Sequence, residues 1–579
     1  MNLSRREFLQ ILAAASAAGI GLNGCDSKKG AGTSMATDDP YNIPAFGQVS
    51  FLHMTDCHAQ LLPIYFREPN INIGIGGANG KPPHLVGEHL LKAFNISADS
   101  RDAHAFTYLN FEAAAQKYGK VGGFAHLRTL VNQLKASRPG SLLLDGGDTW
   151  QGSATALWTK GQDMVDACKL LGVDIMTGHW EFTYGAKRVQ EIIKGMEGNI
   201  EFVAQNVVDN TFEDPIFKPY TLREMNGVQV AIIGQAFPYT PIANPRYMIP
   251  DWSFGIRDER LQEMVDEVRG NGAQVVVVLS HNGMDVDLKM ASRVNGIDAI
   301  LGGHTHDGVP APSIIQSPNG GKTLVINSGS NGKYLSVLDF EVKDGKVTDY
   351  RFKLLPVFSN LIEPDKEMQA YIDKVRSPFK KDLEESLAIT ETLLYRRGNF
   401  NGSFDQLILN AMLEVQDADI ALSPGFRWGT SLLPGDTITR ERLMDQTAIT
   451  YGTSTLNEMT GENMKTILED IADNLFHEDP YYQMGGDMVR IGGLKYSIDP
   501  KAPMGKRIGD MELKGKPLDA KKTYKVAGWA SMQEQPESSP KIWDTVAEYL
   551  RDKKTVRIDE INTPKIKGMD SNPGYARLG

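Results

Sequence analysis

From Gln48 onward the chain alternates short runs rich in apolar and β-branched residues with helical stretches, the pattern of layered α/β proteins. The runs are 49–54, 141–144, 173–176, 202–204, 228–233, 274–279 and 299–301. Towards the end of this half, 334–342 and 347–355 flank Asp344-Gly345, a dipeptide suited to a tight hairpin turn, so the first domain is expected to close near residue 360. Glu363-Pro364-Asp365 opens a polar stretch, 361–386, that reads as a connecting helix. A second domain with its own strands and helices follows over 387–579, and no internal repeat is visible.

The start of the chain has a different pattern. Ser4-Arg5-Arg6-Glu7-Phe8-Leu9 precedes a mildly apolar run from Ile11 to Leu22, which predicts a twin-arginine signal region over 1–25 and delivery to the periplasm. The run is too short, and too rich in Ala and Gly, to span a bilayer. Twin-arginine export carries folded proteins. Two processing sites stand side by side. Leu22-Asn23-Gly24-Cys25 resembles a lipobox, with Cys25 acylated as a lipid anchor, whereas Ser34-Met35-Ala36 has the small-x-small form of ordinary cleavage. Residues 26–47 read as a flexible tether, and no later segment is apolar enough to span a membrane.

Composition narrows the class. A chain of 579 residues, 41% hydrophobic and 23% charged, is an ordinary globular chain of two or three domains. With 61 basic and 72 acidic side chains the net charge is −11, so nucleic acid is not an expected partner, and an anionic substrate would have to be held locally. Three cysteines make no disulfide framework.

The informative feature is where polar clusters fall. One run leads into Asp56-Cys57-His58, the next into Asp145-Gly146-Gly147-Asp148, and the third into Gly178-His179-Trp180-Glu181. Two more lead into Ser280-His281-Asn282-Gly283 and Gly302-Gly303-His304-Thr305-His306. In α/β sheets ligands gather outside the carboxyl ends of strands, so five strand ends of this kind converge on one crevice. Imidazole and carboxylate without thiolate suit manganese, iron, zinc or cobalt. Asp56, His58, Asp148, His179, His281, His304 and His306 are therefore the expected ligands of a two-metal centre. A lone histidine is more often a core or surface residue, and His84, His89, His104, His126 and His477 take that reading. Asp145 reads as loop support, and Cys57 as a small buried residue.

These motifs resemble the calcineurin-like metallophosphoesterases, in particular their 5′-nucleotidase branch. The resemblance implies a four-layer α/β/β/α catalytic domain over 48–360 and a smaller C-terminal α/β substrate domain. It also implies that Asp148 bridges the metals, one further held by Asp56, His58 and His306, the other by His179, His281 and His304. Two positions depart from that branch. His179 stands where its ligand asparagine is usual, and Trp180 and Thr183 replace its catalytic His–Asp dyad.

Longer runs narrow the resemblance. Asp56 to Pro69, Gly178 to Gly185 and Ser423 to Thr430 resemble the SoxB family of sulfur-oxidation sulfohydrolases. That family implies a periplasmic enzyme with two divalent metals, usually assigned as manganese, with zinc or iron as alternatives. It implies release of sulfate from a cysteine S-thiosulfonate on the carrier SoxYZ by metal-activated water. On this reading Arg427 grips the sulfonate oxygens, with Arg67 next and Arg490 third, and the bland alternative for Arg427 is a structural ion pair. Trp180 either packs around the metals or lines the entry for a thin peptide arm. The loop 63–118 either docks the carrier or simply covers the sheet. The chain is expected to act as a monomer. The rival readings are a periplasmic 5′-nucleotidase and a metal-stabilised binding protein without turnover.

Overall fold

Alternation along the buried strands builds a sandwich. In the computed structural model, Val49 and Phe51 face the same core as Val230, Ile232, Val275, Val277, Leu279, Ala299 and Leu301. The residues between them, Ala231, Ile233, Val276, Val278 and Ile300, face a second core on the opposite side. Strands apolar on both faces are those of a parallel sheet covered on both sides. Each fully buried Val, Leu or Ile side chain stabilises the sandwich by about 1.5–3 kcal/mol.

There are two six-stranded sheets. The first runs in the order 346–356, 334–343, 49–54, 142–145, 175–176, 201–202, and the second in the order 313–316, 322–327, 299–302, 275–280, 228–235, 220–225. In each, four strands are parallel, so their carboxyl ends emerge on one edge. Helices Phe124–Ser137, Gln162–Leu171 and Ala186–Met196 make the crossovers of the first sheet, and Asp258–Gly270 and Met284–Ala291 pack on the outer face of the second. The domain is the expected four-layer α/β/β/α architecture.

The structure describes residues 39–577, and from Pro44 onward these form a single unit. The twin-arginine pair, Cys25 and the Ser34-Met35-Ala36 site lie outside the described residues. No helix among the described residues is long and apolar enough to cross a membrane. The strand expected at 202–204 is the two-residue Glu201–Phe202, and that expected at 173–176 shrinks to Ile175–Met176. The hairpin forms as read, Tyr334–Lys343 with Lys346–Pro356, and Asp344 and Gly345 both take positive φ, 50° and 73°.

The connector is helical in three pieces, Lys366–Arg376, Ser377–Phe379 and Lys380–Leu383. Its main helix is Lys366–Arg376, started by Asp365, whose side chain accepts the Met368 amide. It lies on the first domain, where Arg128 pairs with Asp365 and the Tyr371 hydroxyl donates to the Asp163 carbonyl. By Ser386–Thr390 the chain is already a strand. The C-terminal region carries two four-stranded sheets and helices Ser403–Val415, Gly461–Phe476 and Ile542–Lys553.

The long loop 63–118 is neither bare nor confined to one domain. It contains helices Glu88–Phe94, Arg101–Phe106 and Phe111–Tyr118. Its segment 70–86 is a strap to the C-terminal region. Asn72 N donates to Gly574 O at 2.7 Å, Ala576 N to Asn70 O at 3.0 Å, Val86 N to Pro573 O at 3.1 Å, and Asn572 Nδ2 to Gly74 O at 2.8 Å.

Candidate metal centre

The seven expected ligands meet at the carboxyl edge of the two sheets. Asp148, His179, His281 and His304 place one donor atom each within 4.8 Å of one another, and so do Asp56, His58, Asp148 and His306. Asp148 belongs to both groups, and its Oδ2 lies 3.2 Å from His179 Nδ1, 3.1 Å from His281 Nε2 and 3.8 Å from His58 Nε2. All seven are buried.

Local backbone explains how short loops deliver so many donors. Asp56, His58, Asp148, His304 and His306 all have positive φ, between 43° and 73°, the left-handed region that non-glycine residues seldom occupy. Such strain persists only where surroundings over-determine it. Here Asp56 N donates to Gly147 O, His58 N to Asp148 O, and His304 N to the Asp56 carboxylate, so the loops hold one another. Glycine is needed at 303, where a Cβ would lie 2.3 Å from Thr55 Oγ1 and 2.9 Å from Asp56 Oδ2. Glu181 is the central clasp. Its carboxylate accepts the amides of His179 (2.8 Å), Thr149 (2.7 Å), Asp148 (3.2 Å) and Trp150 (3.3 Å), joining two ligand loops.

The donors fit a pair of cations. His306 turns its Nε2 towards Asp56 Oδ1 at 3.2 Å, while His179 Nδ1 and His281 Nε2 face Asp148 Oδ2, so ring nitrogens and carboxylate oxygens converge on common points. His58 Nε2 lies 3.0 Å from His306 Nε2, the spacing of neighbouring donors on one ion with bonds of about 2.1 Å. Burial pulls His58 down to about 4 and holds His304 and His306 well below the usual imidazole range, which keeps the three rings neutral and ligand-ready. His281 goes the other way. Burial would lower it, but the carboxylates of Asp148 and Asp56 outweigh burial and raise it to about 10, so this spot favours positive charge. His281 Nδ1 contacts Gly146 O at 2.6 Å, an outer-shell bond that turns Nε2 inwards. Asp145, raised to about 8 by burial and then by Glu181, braces the loop by accepting from Gly147 N and Thr149 Oγ1.

Trp180 sits where the centre meets the C-terminal region. Its amide donates to Asp148 Oδ1 at 2.7 Å, and its indole packs edge-on to Phe426 (5.3 Å) and Trp428 (5.5 Å). Trp428 in turn stacks on His58 at 5.5 Å. Of the two alternatives for Trp180, the contacts are those of packing: it lies beside the ligand His179 at 4.8 Å, within an aromatic wall shared by both halves of the molecule. The Thr183 hydroxyl donates to the Trp180 carbonyl, which makes it a backbone brace.

A cleft of about 600 Å³ opens beside His304, lined from both halves by His84, Asp285, Asp307, Arg397, Arg427 and Gly485 among others. Gly485 roofs the centre: a Cβ there would lie 2.0 Å from His304 Nε2, and its φ is +73°. Arg427 lines this cleft. It donates from Nε to Asp487 Oδ1 at 3.2 Å and from Nη2 to Gly486 O at 2.7 Å, while Nη1 has no partner. It is both an ion-paired residue and a cation with a spare N–H.

The other two arginines need correction. Arg67 is buried over the Tyr395 ring at 4.0 Å and the Tyr108 ring at 5.0 Å and donates to Glu68 O, so its charge is used in packing, away from the cleft. Arg490 is fully enclosed, donating to Asp487 Oδ2 at 2.9 Å and to Phe400 O at 2.6 Å, and it holds the carboxylate that Arg427 uses. Arg397 was missed. It lines the cleft, donates to Thr305 O at 3.0 Å and lies 3.5 Å from Asp307, thereby gripping both neighbours of His306. In sequence it is one half of an arginine pair in a loop, and only the fold brings it to the metal ligands. Glu181 stood within a quoted motif, yet its clasp depends on four amides from two loops.

Comparison with known proteins bears on the same residues. The 5′-nucleotidase C-terminal domain model matches residues 389–537. The solved sulfate thiohydrolase SoxB of Thermus thermophilus, in complex with glycerol, is 35% identical, superposes with a TM-score of 0.86, and the match covers 91% of this chain and 98% of that one. A 5′-nucleotidase precursor from Thermus thermophilus shares the fold at 21% identity and a TM-score of 0.70, covering 90% and 99%. The 5′-nucleotidase of Rattus norvegicus is 27% identical over 456 residues, 70% of this chain and 76% of its own length.

Proposed function

We propose that this chain, which belongs to the family of the sulfate thiohydrolase SoxB within the 5′-nucleotidase superfamily of metal-dependent hydrolases, releases sulfate from a cysteine S-thiosulfonate on the carrier SoxYZ. Water adds to the sulfonate sulfur, the sulfur–sulfur bond breaks, and its electron pair leaves with the carrier persulfide anion; both protons of the water are released with the sulfate dianion. Two divalent ions, in our reading manganese, held by Asp56, His58, Asp148, His179, His281, His304 and His306, supply Lewis acidity and lower the pKa of water.

The observation that carries the reading is Trp180. An indole, with its amide on Asp148 Oδ1, occupies the place of the superfamily's catalytic histidine, and Thr183 only braces its backbone. An oxygen leaving group would lack its usual proton donor there. A persulfide leaves as a stable anion and needs none. The free Nη1 of Arg427 is set to hold a sulfonate oxygen, and Asp487 with Gly486 O fixes the guanidinium plane. The aromatic wall of Trp180, Phe426 and Trp428 excludes water from one side, which strengthens each of these polar contacts. The N-terminal twin-arginine pattern supports work in the periplasm.

The test presents thiosulfonated carrier and AMP to one metal-loaded preparation and measures both anions. Sulfate release with little phosphate is expected. Efficient AMP hydrolysis without sulfate would instead establish a nucleotidase, the reading favoured by the C-terminal domain match.

A further inference from the structure

His84 reads in sequence as an ordinary core or surface histidine, but its place in the fold is unusual. It lies on the strap, buried, with its ring against Gly74, and it lines the cleft beside Arg427 and His304. Its Nε2 is 2.9 Å from Asp285 Oδ2 and its Nδ1 is 3.3 Å from the Asn72 carbonyl. Both neighbours can only accept: one is a backbone carbonyl, and the other is a carboxylate that His84 holds below its usual range against the opposing effect of burial. Two acceptors facing two ring nitrogens require both to carry hydrogen, and that species is the imidazolium.

We propose that His84 is a cationic bolt, a positioning residue that fixes the strap across the cleft while it is protonated and releases it on deprotonation. The bolt joins two pieces of the site. Asp285 stands on helix Met284–Ala291, which begins three residues after the ligand His281. Asn72 sends its side-chain amide to Asp307 Oδ1 at 3.0 Å, and Asp307 follows the ligand His306 and pairs with Arg397. The charged groups facing His84 are Asp285 from the helix and Asp307 from the loop after the 299–302 strand, with Arg427 of the C-terminal region acting on Asp285. Burial lowers the affinity of the ring for its proton, and the two aspartates more than compensate, so the ring stays charged above the ordinary histidine range. Loss of that proton removes one of the two N–H groups and leaves an acceptor unpaired. The strap then loosens, and with it the wall of the cleft opposite Arg427.

The effect on turnover rests on the sulfohydrolase reading; the effect on the strap does not. The experiment is therefore backbone hydrogen exchange of residues 70–86 in the metal-loaded full chain between pH 6 and 9, corrected for intrinsic rates, alongside sulfate release from thiosulfonated carrier. In the wild type, protection of the strap should fall about tenfold or more across this range, as the charge-assisted contact with Asp285 is lost on deprotonation. His84→Gln and Asp285→Asn should show low protection at both ends. The KM for carrier should rise with pH in the wild type and be raised and flat in the variants, with kcat changing less. Wild-type protection that does not vary with pH overturns the proposal whether or not either variant folds, and so does wild-type pH dependence surviving in His84→Gln. If the exchange pattern appears but the wild type releases no sulfate, the bolt stands and the substrate reading fails.

Discussion

Arg427 and Arg490 meet on one carboxylate: Asp487 takes Arg427 Nε on Oδ1 and Arg490 Nη2 on Oδ2. The two look alike in sequence but differ in burial. Arg427 lines the cleft and its Nη1 has no hydrogen-bond partner, whereas Arg490 is fully enclosed between Asp487 and Asp405 and lines no part of it. Arg427→Ala should slow sulfate release at least about a hundredfold, since a lost charge-assisted contact is worth about 3 kcal/mol in the transition state. Metal content should not change. Arg490→Ala leaves two buried carboxylates short of a partner and should destabilise the fold by about 3–5 kcal/mol. Melting curves and kinetics of both variants check the contrast; equal loss of stability would remove the distinction.

The shared position of Asp148 sets a stoichiometric expectation. Asp148→Ala should lower metal content at both sites towards zero, whereas His306→Ala should leave about one ion per chain, since His306 belongs to one donor group only. Elemental analysis decides it, and two tightly held ions in Asp148→Ala would rule out a bridging carboxylate.

Glu181 touches no donor atom of the site but organises two loops that carry them. Glu181→Gln keeps the shape, removes the charge and turns one acceptor into a donor facing backbone amides. It should cost about 2 kcal/mol of stability and weaken metal affinity about ten- to a hundredfold. Metal titration followed by isothermal calorimetry reads the second effect, and unchanged affinity would reduce the clasp to a fold element.

His84 also links stability to pH. Its folded pKa is raised above the unfolded value, so its contribution is fully present below about 6.5 and is lost as pH rises through the folded value. The melting-temperature difference between wild type and His84→Gln should therefore be largest at low pH and shrink as pH rises above that point. A difference that grows with pH would show that the ring is neutral.

Export can be tested separately. Replacing Arg5 and Arg6 by Lys should leave folded, metal-loaded precursor in the cytoplasm, as cell fractionation would show. Unchanged delivery would remove the twin-arginine reading.

Much of the centre was legible because chemistry and topology coincide: a polar cluster at the end of an apolar run is a local signal, and parallel strands bring such clusters to one edge. Asp56 and His304 needed no long-range information beyond that. Arg67, Arg397 and Arg490 were misjudged or missed because an arginine's role depends on what surrounds its guanidinium. A tyrosine ring, a carbonyl beside a metal ligand and, for Arg490, the second carboxylate Asp405 came from residues far apart in the chain. His84 failed for the same reason, since Asp285 lies two hundred positions downstream.

The strap imposes an order on the making of this protein. Asn70, Asn72 and Gly74 emerge from the ribosome early, yet their hydrogen-bond partners lie at 572–576, some five hundred residues later. All seven ligands precede Gly485 and 572–576 in the chain, so the roof over His304 and the anchor of the strap are the last parts of the centre that the sequence supplies.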